Sequence, residues 1–385
     1  MRSFRIIKKD PLREISMINN KKIYSDLRIF LCISFVLIII GLLFIYSSSS
    51  VLAIEKCGSA FYFLKKQTLG LLLGIAALYF ASIIPLTFIT KFSSILFIGS
   101  LSLTALTLIP GFSKHIHGSS RWLNIAGFSF QPSELLKIGL ILYLASFLTK
   151  KEFKKNSFVY CYAPFLIIMA ITSIVLLKQP DFGLTVTLLA TSGIMLFIAH
   201  IPLIYLGGTI IGILPILATL IIMRPYRLNR ILSFLNPWID PQGSGFQIIQ
   251  SLIAIGSGGF WGVGIGQSKQ KFFYLPMQHT DFIFSIIAEE TGFVGSCAII
   301  LLFIFLLYFG LRIATNLHNQ FSLFATTGFV TLVGIEAGIN IAVATGLAPT
   351  KGIGLPLVSY GNSALICTLT MIGLIINMAR NNQNI

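Results

Sequence analysis

FGLTVTLLATSGIMLFIAHIPLIYLGGTIIGILPILATLIIM, residues 182–223, contains no Asp, Glu, Lys or Arg. A helix crossing the hydrocarbon core of a bilayer needs about 20 mainly apolar residues, so this stretch is about twice too long for one span. It is interrupted at His200-Ile201-Pro202, where proline's missing N–H and fixed φ stop a helix. The reading is two spans joined by a tight turn. Working outward, uncharged runs of span length occupy 29–54, 67–90, 92–113, 156–177, 291–311 and 352–379. Two further apolar segments carry ionisable residues: 133–149 with Glu134 and Lys137, and 321–346 with Glu336. The expectation is an all-α polytopic membrane protein of about ten transmembrane helices. One long extracytoplasmic loop, 224–281, separates spans seven and eight. Residues 1–28 read as a basic N-terminal tail, 29–379 as the membrane domain and 380–385 as a short C-terminal tail.

Composition agrees. Of 385 residues, 55% are hydrophobic and only 10% charged. A soluble domain carries about 25% charged residues, which excludes an ordinary cytosolic enzyme. The first apolar run exceeds a signal-peptide core and reads as a retained anchor. Cys32, Cys57, Cys161, Cys297 and Cys367 show no metal-ligand spacing, so neither a zinc site nor a disulfide scaffold is expected.

Twenty-eight Lys and Arg against twelve Asp and Glu give a net charge of +16. Arg2, Arg5, Lys8, Lys9, Arg13, Lys21, Lys22 and Arg28 lie in the N-terminal tail, and Lys150, Lys151, Lys154 and Lys155 follow span four. Basic short loops stay in the cytoplasm, which places both termini there. The tail lacks an apolar period and reads as a disordered or surface-lying arm. The outer side is more basic than this rule predicts. Arg224, Arg227 and Arg230 open the long loop at three-residue intervals, and guanidinium forks suit phosphate oxygens. Anionic lipid headgroups are the plainer partner for them. Nucleic acid is excluded as a partner, because these cations are extracytoplasmic and no nucleic-acid-binding fold accompanies them.

Acids are few enough to inspect singly. A carboxylate at membrane depth costs a few kcal/mol and points to a function or a partner. Glu134 and Lys137, at i and i+3, form a natural buried ion pair. Asp181, after Lys178-Gln179-Pro180, is placed to cap the next helix. Of Glu289 and Glu290, one is expected to face the bundle and the other a polar neighbour, and Glu336 is buried with Asn340 one turn on. Asp281 stands between polar Gln278-His279-Thr280 and apolar Phe282-Ile283-Phe284. It is placed either to cap a helix or to act as a general base at the water–membrane boundary. The glycines of 256–266 permit close backbone approach but lack the strand–turn–helix frame of a nucleotide fingerprint.

These residues fall into motifs running over most of the chain. They include Arg121-Trp122, Phe130-Gln131-Pro132-Ser133-Glu134-Leu135-Leu136-Lys137 and Lys178-Gln179-Pro180-Asp181-Phe182-Gly183. Asn236-Pro237-Trp238, Gly256-Ser257-Gly258-Gly259, His279-Thr280-Asp281-Phe282 and Ala288-Glu289-Glu290 follow. Last come Pro349-Thr350-Lys351-Gly352 and Ser359-Tyr360-Gly361. In order and spacing the chain resembles the SEDS family of FtsW- and RodA-like proteins, and Pro349-Thr350-Lys351-Gly352 leans toward the FtsW, or division, branch. Gly354, Asn362 and Phe246 depart from the residues usual in that family.

The resemblance implies a ten-helix inverting glycosyltransferase that polymerises lipid II on the outer face of a bacterial inner membrane. It implies work with a class B penicillin-binding protein and other divisome proteins. Asp281 carries over as the essential acid, and Glu134 and Lys137 as cavity residues. Arg121, Lys178, Asp181, His279 and Ser359 join them as substrate-cavity candidates, and Arg224, Arg227 and Arg230 as phosphate-clamp candidates. A divalent cation, magnesium or manganese, is the candidate cofactor, with no protein metal site expected. The alternatives are a lipid II transporter and a scaffold for a transpeptidase. A transporter would place coupling groups at the midplane of broken, repeated helices.

Overall fold

The computed structural model describes residues 11–110, 113–116, 119–125, 128–150, 158–223, 225–272 and 274–382. Its helices are α1 (Pro11–Cys57), α2 (Tyr62–Ile83), α3 (Leu86–Leu106), α4 (Pro132–Leu148), α5 (Ala163–Lys178) and α6 (Phe182–Ile198). They continue with α7 (Leu203–Ile222), α8 (Pro225–Leu235), α9 (Phe246–Ser257), α10 (Ile283–Thr315), α11 (Gln320–Ala344) and α12 (Asn362–Asn381). Seven helices are long and apolar enough to cross a membrane: α1, α2, α3, α5 with its preceding π turn, α10, α11 and α12. The shorter α4 and α6 have 17 residues each, and α7 is apolar with an internal Pro215.

The break inside 182–223 falls where the sequence places it, and its geometry is a helix stop. The Ile201 N–H reaches the Leu196 carbonyl at 3.2 Å, and the His200 N–H reaches that of Phe197 at 3.0 Å. His200 takes φ +59°. This is a Schellman ending, with a left-handed residue directing two amides back onto the last carbonyls. Pro202 then starts α7, where a missing N–H costs nothing.

Three features differ from the sequence reading. The first helix begins at Pro11, not near residue 29, and Ile23 and Leu27 are buried. Asp26, within the stretch read as the N-terminal tail, is also buried and pairs with Arg312 of α10 at 3.0 Å. From Pro11 onward the tail is therefore helical, and from Ile23 it is part of the bundle; residues 1–10 lie outside the described residues. Second, a three-stranded antiparallel sheet, β1 (Ser113–Ile116), β2 (Ser119–Ile125) and β3 (Phe128–Phe130), is added to the all-helical body. Alternation over so few residues was masked by the hydropathy of the flanking spans. Third, the long loop is structured: α8, a short 3-10 turn at Pro237–Ile239 and α9 fill much of it. The lysines at 151–155 lie outside the described residues.

α2 packs on α12, α3 on α4, and α1 and α11 on α10. The chain ends of α1, α3, α5, α7 and α11 meet the starts of α2, α4, α6, α10 and α12 at one pole, shown by contacts between their connections. Gln67 of α2 bonds the Gly361 amide at 3.1 Å, Arg121 of β2 the Gln179 carbonyl at 3.1 Å, and Arg230 of α8 the Thr350 carbonyl at 2.8 Å. The opposite pole holds Asp26–Arg312 and the His318 amide on Asn382 at 2.7 Å.

The glycine-rich stretch after α9 does approach another backbone closely. Val263 and Gly264 donate to the carbonyls of Glu289 and Glu290 at 3.0 and 3.1 Å, and Phe293 donates to Gly259 at 2.8 Å. α10 bends there at Gly292, with φ 69° and ψ −163°. A methyl on Gly292 would sit 2.7 Å from the Phe260 carbonyl, in a backbone region open essentially only to glycine. Gly292→Ala is expected to destabilise the protein by about 2–4 kcal/mol, through backbone strain and overpacking. Thermal unfolding in detergent checks this, and a melting curve like that of the wild type would refute it.

Candidate active site

The site is built at the shared pole. Asp281 is half-buried just before α10 and reaches the connection between α11 and α12: a Cβ on Gly352 would lie 3.5 Å from its Oδ2. Three successive carbonyls hold this acid's backbone in place. The Tyr360 N–H donates to the His279 carbonyl at 2.9 Å, and the Ser359 hydroxyl to that of Thr280 at 2.5 Å. Asn340 Nδ2 of α11 donates to the Asp281 carbonyl at 2.8 Å and to that of Ile353 at 2.7 Å. Ser359 also accepts from the Leu355 amide at 2.7 Å, so its oxygen acts as a latch between two backbone segments.

Below the acid, Lys137 is buried and pairs with Glu134 at 2.6 Å and with Glu336 of α11 at 2.8 Å. The expected i, i+3 pair is present, and α11 adds a second carboxylate that spacing within α4 could not reveal. Glu336 and Asn340 lie one turn apart on α11, so one helix carries both the triad's third member and the clamp on Asp281. Glu336 and Asn340 were visible in the sequence as polar residues inside an apolar run; their role as a pair was not.

Asp181 caps α6, accepting from the Leu184 amide at 3.1 Å, and lies 3.7 Å from Arg121. Arg121 also donates to the Pro180 carbonyl, so the sheet delivers a guanidinium to the start of α6. Lys178 is exposed in the last turn of α5. Gly183 lets the 351–353 backbone lie on α6, since a Cβ there would meet the Lys351 carbonyl at 3.2 Å. The Lys351 ammonium stands 5.8 Å from the centre of the Phe182 ring, and burial lowers its pKa below the ordinary lysine value. Lys351 was quoted only as part of a motif and was missed as a site residue; the signal lay in its being a cation beside a glycine turn.

Of the arginine candidates, Arg230 is half-buried with one nitrogen on Thr350. Arg224 and the side chain of Arg227 lie outside the described residues.

Glu289 and Glu290 are both buried, and both hold the loop that leads to Asp281. Glu289 accepts from the Ser268 hydroxyl and from the Lys269 amide at 2.9 Å. Glu290 accepts from Ser47 of α1 at 2.7 Å and pairs with Lys271 at 3.4 Å. Glu290 thus meets α1 of the bundle and Glu289 a polar loop; a carboxylate surrounded by donors is how a loop is fixed against a membrane helix.

His279 packs against Phe63 and Tyr360, with ring centroids 4.6 and 5.6 Å away, and its Nδ1 is buried with no hydrogen-bond partner. Burial, then the charge of Lys56, lowers its pKa from 6.5 to about 4, so the imidazole is neutral near pH 7. Between those two values the unfolded chain binds a proton that the folded chain does not. This contribution to stability is therefore complete above pH 6.5 and is lost as pH falls toward 4. The melting temperature is expected to drop from pH 7 to pH 5, and less steeply in His279→Phe, which keeps the ring packing. Parallel pH dependences in the two proteins would exclude this source.

The sequence profile of the FtsW/RodA/SpoVE family, described as cell cycle protein, matches residues 27–384. The chain belongs to this family. It is 42% identical to a probable peptidoglycan glycosyltransferase FtsW of Geobacter sp. (strain M18), over 91% of this chain and 96% of that one. It is 41% identical to stage V sporulation protein E of Bacillus subtilis (strain 168), over 94% of this chain and 98% of that one. Among solved structures, a chain from a study of how a peptidoglycan synthase complex coordinates polymerization and crosslinking superposes with a TM-score of 0.76. That chain is 29% identical, and the match covers 92% of this chain and 97% of it. The rod shape determining protein RodA of Thermus thermophilus superposes with a TM-score of 0.68 at 26% identity, covering 92% of this chain and 96% of that one. This family member is thus a multi-pass membrane protein.

Proposed function

We propose that the chain is a peptidoglycan glycosyltransferase that polymerises lipid II during cell division, at the outer face of a bacterial cytoplasmic membrane. Ten helices cross the bilayer with both termini in the cytoplasm, a reading supported by the alternation of helix ends at the Asp281 pole. The observation that carries the reading is Asp281: an acid at the boundary between a polar loop and a membrane helix, with three successive backbone carbonyls pinned and the Gly352 turn beside it.

In the reaction, the Asp281 carboxylate takes the proton from the acceptor sugar hydroxyl as that oxygen attacks the anomeric carbon of the donor. The bond to undecaprenyl pyrophosphate breaks, and a single displacement inverts the anomeric centre. The leaving group departs with two phosphates' charge, which cations must meet. Lys351 now joins Arg224, Arg227 and Arg230 as a candidate, because an arriving phosphate offsets the desolvation that lowers its pKa. Glu134, Lys137 and Glu336 form the polar floor of the cavity.

Among the described residues, no three His, Cys, Asp or Glu side chains converge on one point. A magnesium-like ion would come to the centre on the substrate's own phosphates, with few protein ligands. The partner we assign is a cross-linking transpeptidase, a class B penicillin-binding protein, in keeping with the relative studied within a synthase complex. Labelled lipid II supplied to the purified pair tests the reading: glycan ladders support it. Transbilayer movement of lipid II without ladders would favour a transporter instead.

A further inference from the structure

Asn340 is buried deep in the bundle near the end of α11, where a primary amide is costly unless its hydrogen bonds are made. Its Nδ2 donates to two backbone carbonyls, one from each side of the site. One is that of Asp281, at 2.8 Å, and the other is that of Ile353, next to Gly352, at 2.7 Å. Its Oδ1 is buried with no hydrogen-bond partner, so the side chain is held by its two N–H groups alone. On the same three-residue stretch, Ser359 takes the Thr280 carbonyl at 2.5 Å.

We infer that Asn340 is a positioning residue, which ties the Asp281 backbone to the Lys351–Ile353 turn so that the acid and the neighbouring cation share one frame. Ser359 is the second tie in that frame. This rests on the reading of Asp281 as general base. The physical reason is distance tolerance: a displacement of about 1 Å at a reacting group costs about a hundredfold in rate. The backbone just outside a helix lacks the hydrogen-bond ladder that fixes the helix interior. The amide supplies that restraint from a different helix, one that also carries Glu336 of the cavity floor.

The test uses the full chain with its transpeptidase partner and labelled lipid II, measuring initial rates over a range of substrate concentrations. Asn340→Ala is expected to lower kcat about 10- to 100-fold with KM within about twofold of wild type, as for a group that orients the reacting acid. Asn340→Asp, of equal size but lacking the two N–H donors, should lose at least as much. Ser359→Ala should lower kcat about tenfold, and Ser359→Thr, which keeps the hydroxyl, should recover it. If Asn340→Ala does not fold, the Ser359 pair decides. Wild-type kcat in Asn340→Ala, or a raised KM at unchanged kcat, would overturn the positioning role. Asp281→Asn, run in parallel, separates the two proposals. An inactive Asp281→Asn beside a fully active Asn340→Ala sinks only the positioning role, whereas an active Asp281→Asn sinks the reading on which it rests.

Discussion

Asp281→Asn is expected to abolish glycan polymerisation, lowering turnover by about 10²- to 10⁴-fold, while lipid II is still bound. Asparagine preserves the shape of the side chain and the three backbone ties made by Tyr360, Ser359 and Asn340, because those bonds end on main-chain carbonyls. What it removes is the ability to accept a proton. The measurement is the length and yield of glycan ladders from labelled lipid II, with substrate binding followed separately. Loss of ladders with binding retained is the signature of a group needed in the transition state, not in the ground state. Ladders from the variant at near wild-type rate would remove the general base from this residue.

The second large effect is expected at Lys137. Lys137→Met leaves Glu134 and Glu336 close together without the cation that lies 2.6 and 2.8 Å from them. Breaking a buried ion pair from one side costs about 3–5 kcal/mol, since the remaining charge is neither solvated nor paired. The expected outcome is a large fall in melting temperature in detergent, with little folded protein recovered. Adding Glu336→Gln to Lys137→Met removes one stranded charge and should restore much of the stability, but not the polymerase rate. An unchanged melting curve for Lys137→Met would mean that the triad does not hold α4 against α11. A double variant no more stable than the single one would count against charge as the cause.

Much of the fold was legible because hydrocarbon is an intolerant solvent. Runs without charge and a proline after His200 are enough to find helices and a turn. The Schellman ending at His200 follows from that same stretch. What hydropathy could not show is where helices extend past the apolar run. α1 starts eighteen residues before the expected span at residue 29, because Ile23 and Leu27 face the bundle and Arg312 neutralises Asp26 across it. The sheet at 113–130 was equally hidden: its strands hold seven residues at most, too few for a period to stand out beside a membrane span.

The site divides the same way. Asp281, Glu134, Lys137 and Asp181 could be singled out one at a time, since each is an ionisable group where one is costly, and two of the readings, the α6 cap and the i, i+3 pair, are local geometry. Glu289 and Glu290 were noticed for the same reason, yet their work is to anchor Ser268, Lys271 and Ser47, residues far away in the chain. Ser359 was placed in the cavity by resemblance and proves to be a backbone latch on Thr280 and Leu355.

By itself, then, the sequence determined that this chain is a bundle of membrane helices in which a few acids stand at or inside the membrane boundary, because charge in hydrocarbon is too expensive to be placed by chance. Only the tertiary structure decided which of those acids are held by lysine, which by loop amides, and which stands beside the Gly352 turn with its backbone carbonyl on Asn340. That choice depends on contacts between segments as far apart as Ser47 and Glu290, or Asp281 and Asn340. No local pattern encodes such pairs, because each forms only when separate helices pack and bring a donor within about 3 Å of its acceptor.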